Sequence, residues 1–319
     1  MPTMTVAALP INSKIYIAGH SGLAGSAIWR HFSTLGYRNL YGWRSSEIDL
    51  RERRPIADAL VELRPDCVIL AAAKVGGIAA NDSYPVEFLI ENTAIQNNVM
   101  AAAHVADVSR LVFLGSSCIY PKFAEQPIRE DSLMTGALEP TNDAYAVAKI
   151  AGIKLVQSYR KQYGRKWISV MPANLYGLGD NYNLESSHVL AALVRRFTDA
   201  VKSGSKTITL WGSGNPRREF LHSDDLATAV VMLINKYDSD TPINIGYGSD
   251  ISIRELAIKI AQITGFIGEI LWDQSKPDGT PRKLLDISSI SLMGWRPKIS
   301  LDQGLERVCA EYAAMNLLD

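Results

Sequence analysis

Over the first 177 residues, short apolar runs alternate with longer stretches of helical spacing. "KIYIAGH" (14–20), "NLYGWR" (39–44), "CVILAAA" (67–73), "RLVFLGS" (110–116) and "WISVMPANLYG" (167–177) read as strands, each short and strongly apolar. Between them, residues 22–35, 51–63, 85–106 and 144–163 repeat apolar positions every three to four residues and predict helices. Repeated βα units with right-handed crossovers predict a Rossmann-type, doubly wound parallel α/β sheet. Ligands of such sheets bind at the carboxyl ends of the strands.

After residue 177 the texture changes. "GLGDNYNLESS", "WGSGNPRRE" and "QSKPDGTPRK" are loop-rich and interrupt shorter helical patterns at 189–200 and 254–264. The expected division is a nucleotide-binding domain over 1–177 and a smaller α/β substrate domain over 178–319. Part of 220–250, including "FLHSDDLATAVVMLI" (220–234), is expected to pack back on the first domain.

Composition narrows the classes. An apolar fraction of 47% and a charged fraction of 21% are those of an ordinary globular protein. With 33 basic and 33 acidic side chains, nothing global draws nucleic acid or an anionic membrane, so an anion site must be local. No apolar run approaches the roughly 18 residues of a membrane span. "MPTMTVAALPINS" lacks the basic and apolar regions of a signal peptide and reads as a loose tail. Cys67, Cys118 and Cys309 are far apart and odd in number, which argues for free thiols and a cytoplasmic location. The five histidines share no helical spacing, so no metal is expected.

Three features carry chemistry. "GHSGLAG" (19–25) follows the first strand and opens a helix, with Gly19, Gly22 and Gly25 as a GxxGxxG. Glycines let the backbone approach a pyrophosphate, which the helix N-terminus stabilises. The second strand ends in Gly42, Trp43, Arg44, Ser45 and Ser46, with no acid until Glu47. A cation with serines suits the 2′-phosphate of NADP(H), whereas NAD sites favour a carboxylate. The competing reading of Arg44 is a solvated surface charge. "YAVAK" (145–149) places Tyr145 and Lys149 on one helix face, where a phenol can exchange a proton with a ketone or alcohol during hydride transfer. Ser116, in "GSSCIYP" (115–121), is positioned to bond the same oxygen.

Joined, the glycine loop, the serine at the end of the fourth strand and the Tyr145–Lys149 pair resemble the extended short-chain dehydrogenase/reductase family over essentially the whole chain. "GSSCIYP", "EPTNDAYAVAKIAGIKL", "MPANLYG", "SHVLAALVRRF", "WGSGNPRREFLHSDD" and "KPDGTPRKLLD" narrow the resemblance to members that epimerise and reduce GDP-4-keto-6-deoxy-D-mannose with NADPH. It implies catalytic roles for Tyr145, Lys149 and Ser116, with Lys149 lowering the tyrosine pKa, and an acid–base pair of Cys118 and His188. It implies cofactor contacts from His20, Ser21, Leu23 and Ala24 with the three glycines, and from Arg44. Leu114, Gly115, Ser116, Ser117, Lys149, Pro172, Ala173, Asn174, Leu175 and His188 complete that set. Arg196, Trp211, Arg218 and Asp278 fall where the family holds the GDP-sugar, although Trp211 alone reads equally as a packed aromatic. Ser186 and Ser187 are candidate caps for the helix starting at Val189. The family also implies a homodimer joined through helices of the cofactor domain. One departure is Ser21, where relatives often carry a base. A 4,6-dehydratase is disfavoured because Cys118 and Ile119 stand where it needs an acid. Arg44 and Cys118 disfavour a 4-epimerase that retains NAD, and the complete Ser116, Tyr145 and Lys149 set disfavours a non-catalytic cofactor sensor.

Overall fold

The computed structural model describes residues 8–184, 186–276 and 278–315. β1 (Ile15–Ala18) leads through α1 (Leu23–Thr34) to β2 (Leu40–Tyr41), and α2 (Arg53–Leu63) carries the chain back past β1 to β3 (Cys67–Leu70). Next come α3 (Ile78–Ser83), α4 (Pro85–Val105), β4 (Arg110–Leu114), α5 (Asp143–Tyr163) and β5 (Ile168–Pro172). The chain then leaves the sheet through β6 (Asn174–Tyr176), α6 (Val189–Ser203), β7 (Thr207–Trp211), β8 (Arg217–Arg218) and β9 (Phe220–His222). It returns through α7 (Ser223–Lys236) and β10 (Ile243–Ile245), then departs again into β11 (Ile251–Ser252), α8 (Ile253–Thr264), β12 (Glu269–Asp273), β13 (Arg282–Lys283), α9 (Ser288–Leu292) and α10 (Leu301–Met315).

Six parallel strands form the sheet in the order β10-β5-β4-β3-β1-β2. All four residues of β1 and of β3 are buried, as expected of strands covered on both faces. Each buried Ile, Leu or Val there contributes about 1.5–3 kcal/mol of burial. Helices α1 and α7 pack together, as do α2, α4 and α5. The chain reverses direction between β1 and β3, which opens a crevice at their carboxyl ends.

A second core gathers Leu190, Val194 and Phe197 of α6, Leu256 and Ile260 of α8, and Leu305 and Val308 of α10 with Ile208 and Leu210 of β7. Residues 190, 193, 194, 197 and 200 of α6 form its buried stripe, and the helix closes on left-handed Gly204. α8 starts with a capping box between Ser252 and Glu255, which satisfies two of its free backbone donors.

Three local expectations are corrected. The strand expected over 39–44 pairs only at Leu40 and Tyr41. The run 167–177 is not one strand: β5 ends at Pro172, which has no N–H to donate, and Ala173 donates to Ile245. Asn174 then begins a separate pairing with β9. Residues 9–13 are not loose either, because Leu9 is buried and its N–H reaches Asn235 Oδ1 at 2.8 Å; residues 1–7 lie outside the described residues.

Candidate active site

The glycine loop sits in the crevice between β1 and β3. Gly19 has φ +81°, and a Cβ there would lie 2.7 Å from Ala72 N. At Gly25 a Cβ would lie 2.0 Å from Gly19 O, so the first helical turn can close on the loop only with glycine. A Cβ at Gly22 would have only Gly19 O nearby, at 3.5 Å, so this glycine leaves open space above the start of α1. Leu23 and Ala24 follow in the first turn of α1, whose N-cap, Gly22, supplies no side-chain cap. Free N–H groups facing open space are what a pyrophosphate requires, so these residues fit a dinucleotide. His20 packs over Gly42, where a Cβ would come within 2.4 Å of its ring, and its Nδ1 is buried without a partner. Ser21 in the glycine loop and Arg44, Ser45 and Ser46 after β2 are exposed. The Glu47 carboxylate is turned back onto the Arg44 N–H at 2.7 Å, which leaves the guanidinium as the charge presented outward.

β4 ends at Leu114, and Gly115 follows because a Cβ there would strike the Met171 thioether at 2.5 Å. One 3₁₀ turn (Ser117–Ile119) comes next, with Ser116 Oγ accepting the Cys118 N–H at 3.2 Å. Ser116 also hydrogen-bonds Tyr145, one turn before Lys149 on α5. Lys149 is buried, and its Nζ donates to Leu114 O at 2.8 Å, 4.9 Å from the Phe113 ring centroid and 5.8 Å from that of Tyr145. Burial pushes the Lys149 ammonium down to about 7. The Tyr145 hydroxyl is governed by other neighbours. Burial and the Cys118 charge raise the phenol, and only the Ser116 hydrogen bond opposes them.

Cys118 is half-buried among donors: Lys283 Nζ stands 3.4 Å from its Sγ and Asn142 Nδ2 stands 3.5 Å away. Burial raises its pKa, but the Lys283 charge, hydrogen bonds from Ser116 and Lys283, and the Arg218 charge outweigh it, so the net shift is downward. His188 is the N-cap residue of α6 and keeps an exposed face. Surrounding protein first, and the Lys283 charge second, push its imidazole down. Ser186 and Ser187 do not cap α6: their backbone runs against Gly77, with Gly77 N–H donating to Ser186 O at 3.2 Å.

The second core supplies the other wall. β7 alternates exposed and buried residues, so Trp211 falls on its outer face, 56% exposed, with Lys276 Nζ 5.5 Å from its ring. It is not a core aromatic. Arg196 Nη1 donates to Thr209 O in the middle of β7. Asp278 is clamped by Ser213 through N–H (2.8 Å) and Oγ (2.7 Å), next to Trp211. Arg218 on β8 lies within electrostatic reach of Cys118, Glu139 and Asp278. On the opposite side, Asn174 of β6 bonds Glu219 O, so Pro172, Ala173, Asn174 and Leu175 cross from the main sheet to the β6–β9 pair. Asn81 Oδ1 on α3, Thr141 Oγ1 and Asn142 Oδ1 just before α5, and Ser187 Oγ just before α6 are among the buried polar atoms without a protein partner.

Residues 15–246 match the family model described as NAD dependent epimerase/dehydratase family. The chain belongs to the NAD dependent epimerase/dehydratase family. It is 53% identical over 293 residues to the probable GDP-L-fucose synthase 1 of Oryza sativa subsp. japonica, covering 92% of this chain and 89% of that one. To the GDP-L-fucose synthase of Escherichia coli (strain K12) it is 50% identical over 301 residues, covering 92% and 94%. Its fold superposes on a GDP-L-fucose synthetase from Naegleria fowleri bound to NADP with a TM-score of 0.90 at 26% identity, covering 99% and 98%.

The epimerase/dehydratase match spans the glycine loop, Ser116, Cys118, Tyr145, Lys149, His188, Arg196, Trp211 and Arg218, and ends before Asp278 and Lys283. Lys283, Asn142 and Glu139 were not singled out from the sequence. "EPTNDAY" and "KPDGTPRKLLD" contain all three, but a lysine or asparagine in a loop signals nothing until the fold brings it to a thiol. Glu139 is buried with an ion pair to Lys122 at 3.0 Å and accepts from Thr280 Oγ1 at 3.3 Å. It thereby ties the segment before α5 to the loop carrying Asp278.

Proposed function

We propose that this chain converts GDP-4-keto-6-deoxy-D-mannose to GDP-L-fucose by epimerisation at C3 and C5 and NADPH-dependent reduction at C4. The observation that carries the reading is the thiol of Cys118, held by Lys283 and Asn142 on the same turn as Ser116, beside the Tyr145–Lys149 pair. A plain 4-reductase needs only the second group.

The cofactor would lie along Gly19, His20, Ser21, Gly22, Leu23, Ala24 and Gly25, with Arg44 at its 2′-phosphate. Leu114, Gly115, Ser116, Ser117, Lys149, Pro172, Ala173, Asn174, Leu175 and His188 would line its nicotinamide half. When bound, NADPH supplies the hydride. The remaining work falls to side chains. A 4-ketone acidifies the C–H bonds at C3 and C5, and inversion requires a proton to leave from one face and return on the other. Cys118 and His188 are two groups of suitable acidity for that exchange. In the reduction, the ketone oxygen takes its proton from the Tyr145 hydroxyl while Ser116 steadies the donor. Burial keeps Tyr145 protonated, as a proton donor must be, and Lys149 stands one turn away to stabilise the phenolate left behind.

Arg196, Trp211, Arg218 and Asp278 would hold the GDP portion, the guanidinium fork matching diphosphate oxygens. The two cores support a division of labour, with cofactor on the sheet and nucleotide sugar on the β7–β8 side. Val86, Ile90 and Val147, 60%, 61% and 47% exposed on the packed helices α4 and α5, support a homodimer through that face. Among the described residues no helix is long and apolar enough to cross a membrane, and the free thiols support a cytoplasmic setting. The test is incubation with GDP-4-keto-6-deoxy-D-mannose and NADPH followed by NMR of the sugar. GDP-L-fucose is expected, and an unreacted or merely reduced hexose would refute the reading.

A further inference from the structure

Lys283 lies beyond the family match, at the end of a two-residue strand, and its ammonium is the least explained charge in the cleft. No carboxylate lies within ion-pair distance of it among the described residues, although Arg217 and Arg282 beside it both reach Asp250. Its side-chain partner is the Cys118 sulfur at 3.4 Å. The placement is built. β13 pairs with β8 so that Lys283 stands opposite Arg218, and Lys283 O accepts from Glu219 N–H at 3.2 Å. Glu219, itself buried, then accepts Leu285 N–H at 3.0 Å and Gly248 N–H at 2.6 Å, while Gln126 Oε1 accepts Leu284 N–H at 2.9 Å. A flexible lysine would not need this much fixed backbone on both sides to serve as a solvated charge.

We propose that Lys283 is a positioning residue that holds Cys118 as a thiolate aimed into the cleft. This deepens the epimerase reading above and rests on it for its biological meaning. An ammonium with no carboxylate to neutralise it, 3.4 Å from a sulfur, favours the ionised thiol, and the thiol proton goes to solvent. Asn142 Nδ2, at 3.5 Å, supplies a second donor to the same sulfur. The other charged or titratable groups facing Cys118 are Arg218 from β8, which acts in the same direction, and Tyr145 from α5, which is neutral. Glu139 and Asp278 face Arg218 and temper its charge. His188 is biased toward its neutral form by burial first and by the same Lys283 charge second.

The experiment measures Cys118 acidity without any sugar. The rate of iodoacetamide alkylation is followed against pH for the full chain, with Cys118→Ser as the blank; Cys67 and Cys309 are buried. The native midpoint should lie below the ordinary thiol range. In Lys283→Met it should rise by about one to three pH units, the effect of removing an adjacent opposite charge, and Lys283→Arg should keep it near the native value. The acidic limb of solvent-deuterium incorporation into the keto sugar should move upward with it. An unchanged alkylation midpoint in Lys283→Met would overturn the proposal. If that variant fails to fold, Lys283→Gln takes its place: a raised midpoint supports the lysine's role and an unchanged one overturns it. A low native midpoint that rises in the variant, with no deuterium incorporated by the native enzyme, would refute the epimerase reading and leave the lysine's role standing.

Discussion

Replacing Lys149 by Met should abolish reduction and yet stabilise the cofactor-free protein. The ammonium is buried with a single acceptor, Leu114 O at 2.8 Å, and its other described neighbours are aromatic faces. Burial takes it from 10.5 to about 7. At about 1.4 kcal/mol per unit, holding this group near neutral pH costs the fold roughly 4–5 kcal/mol. The penalty is fully present below the folded value near 7. It shrinks as pH rises toward 10.5, because over that window the unfolded chain carries a proton that the folded one does not. Methionine removes the penalty but leaves the Leu114 carbonyl without its donor, a loss of about 1–3 kcal/mol. A net gain of about 1–4 kcal/mol at pH 7 remains, declining to nothing or reversing near pH 10. Urea unfolding of both proteins at half-unit steps from pH 6.5 to 9.5 measures the difference. A stability difference that does not change with pH, or a variant less stable at pH 7, would refute the reasoning.

Other substitutions probe separate parts of the site. Arg44→Asp should narrow or invert the preference for NADPH over NADH, read as the ratio of kcat/KM values, since a carboxylate would face the 2′-phosphate; equal efficiency with both cofactors in the native enzyme would remove Arg44 from that role. Tyr145→Phe should keep NADPH binding by fluorescence while reduction falls by about 10²–10⁴, the typical contribution of one general acid. On the proposed α4–α5 dimer face, Ile90→Asp should sediment as a monomer where the native chain is expected to sediment as a dimer, and equal sizes for the two would count against that face.

Much of the frame was legible because it is local. Ile15–Ala18, Cys67–Leu70 and residues 111–114 are apolar runs that burial on both sheet faces requires. The Tyr145–Lys149 spacing needs only a helix. What escaped the sequence depends on distant partners. Run 167–177 breaks after Pro172 because β9, more than forty residues later, offers Asn174 another strand. The Lys149 ammonium donates to the Leu114 carbonyl at the end of β4, a contact that the Tyr145–Lys149 spacing does not record. Ser186 and Ser187 look like caps by composition, but the turn at Gly77 takes their backbone and His188 becomes the boundary residue. Lys283 reaches Cys118 across 165 positions of chain through the β13–β8 register, which no local pattern records.

The central claim is that one cleft performs both proton exchange and reduction, and turnover in D₂O tests it most directly. NMR of the product from GDP-4-keto-6-deoxy-D-mannose and NADPH reports deuterium at C3 and C5 together with stereochemistry. The native enzyme should give GDP-L-fucose labelled at both carbons. Cys118→Ser, nearly isosteric but far less acidic, should give an unlabelled GDP-6-deoxyhexose reduced at C4 and not epimerised. Normally labelled GDP-L-fucose from Cys118→Ser would contradict the account and leave the thiol as packing.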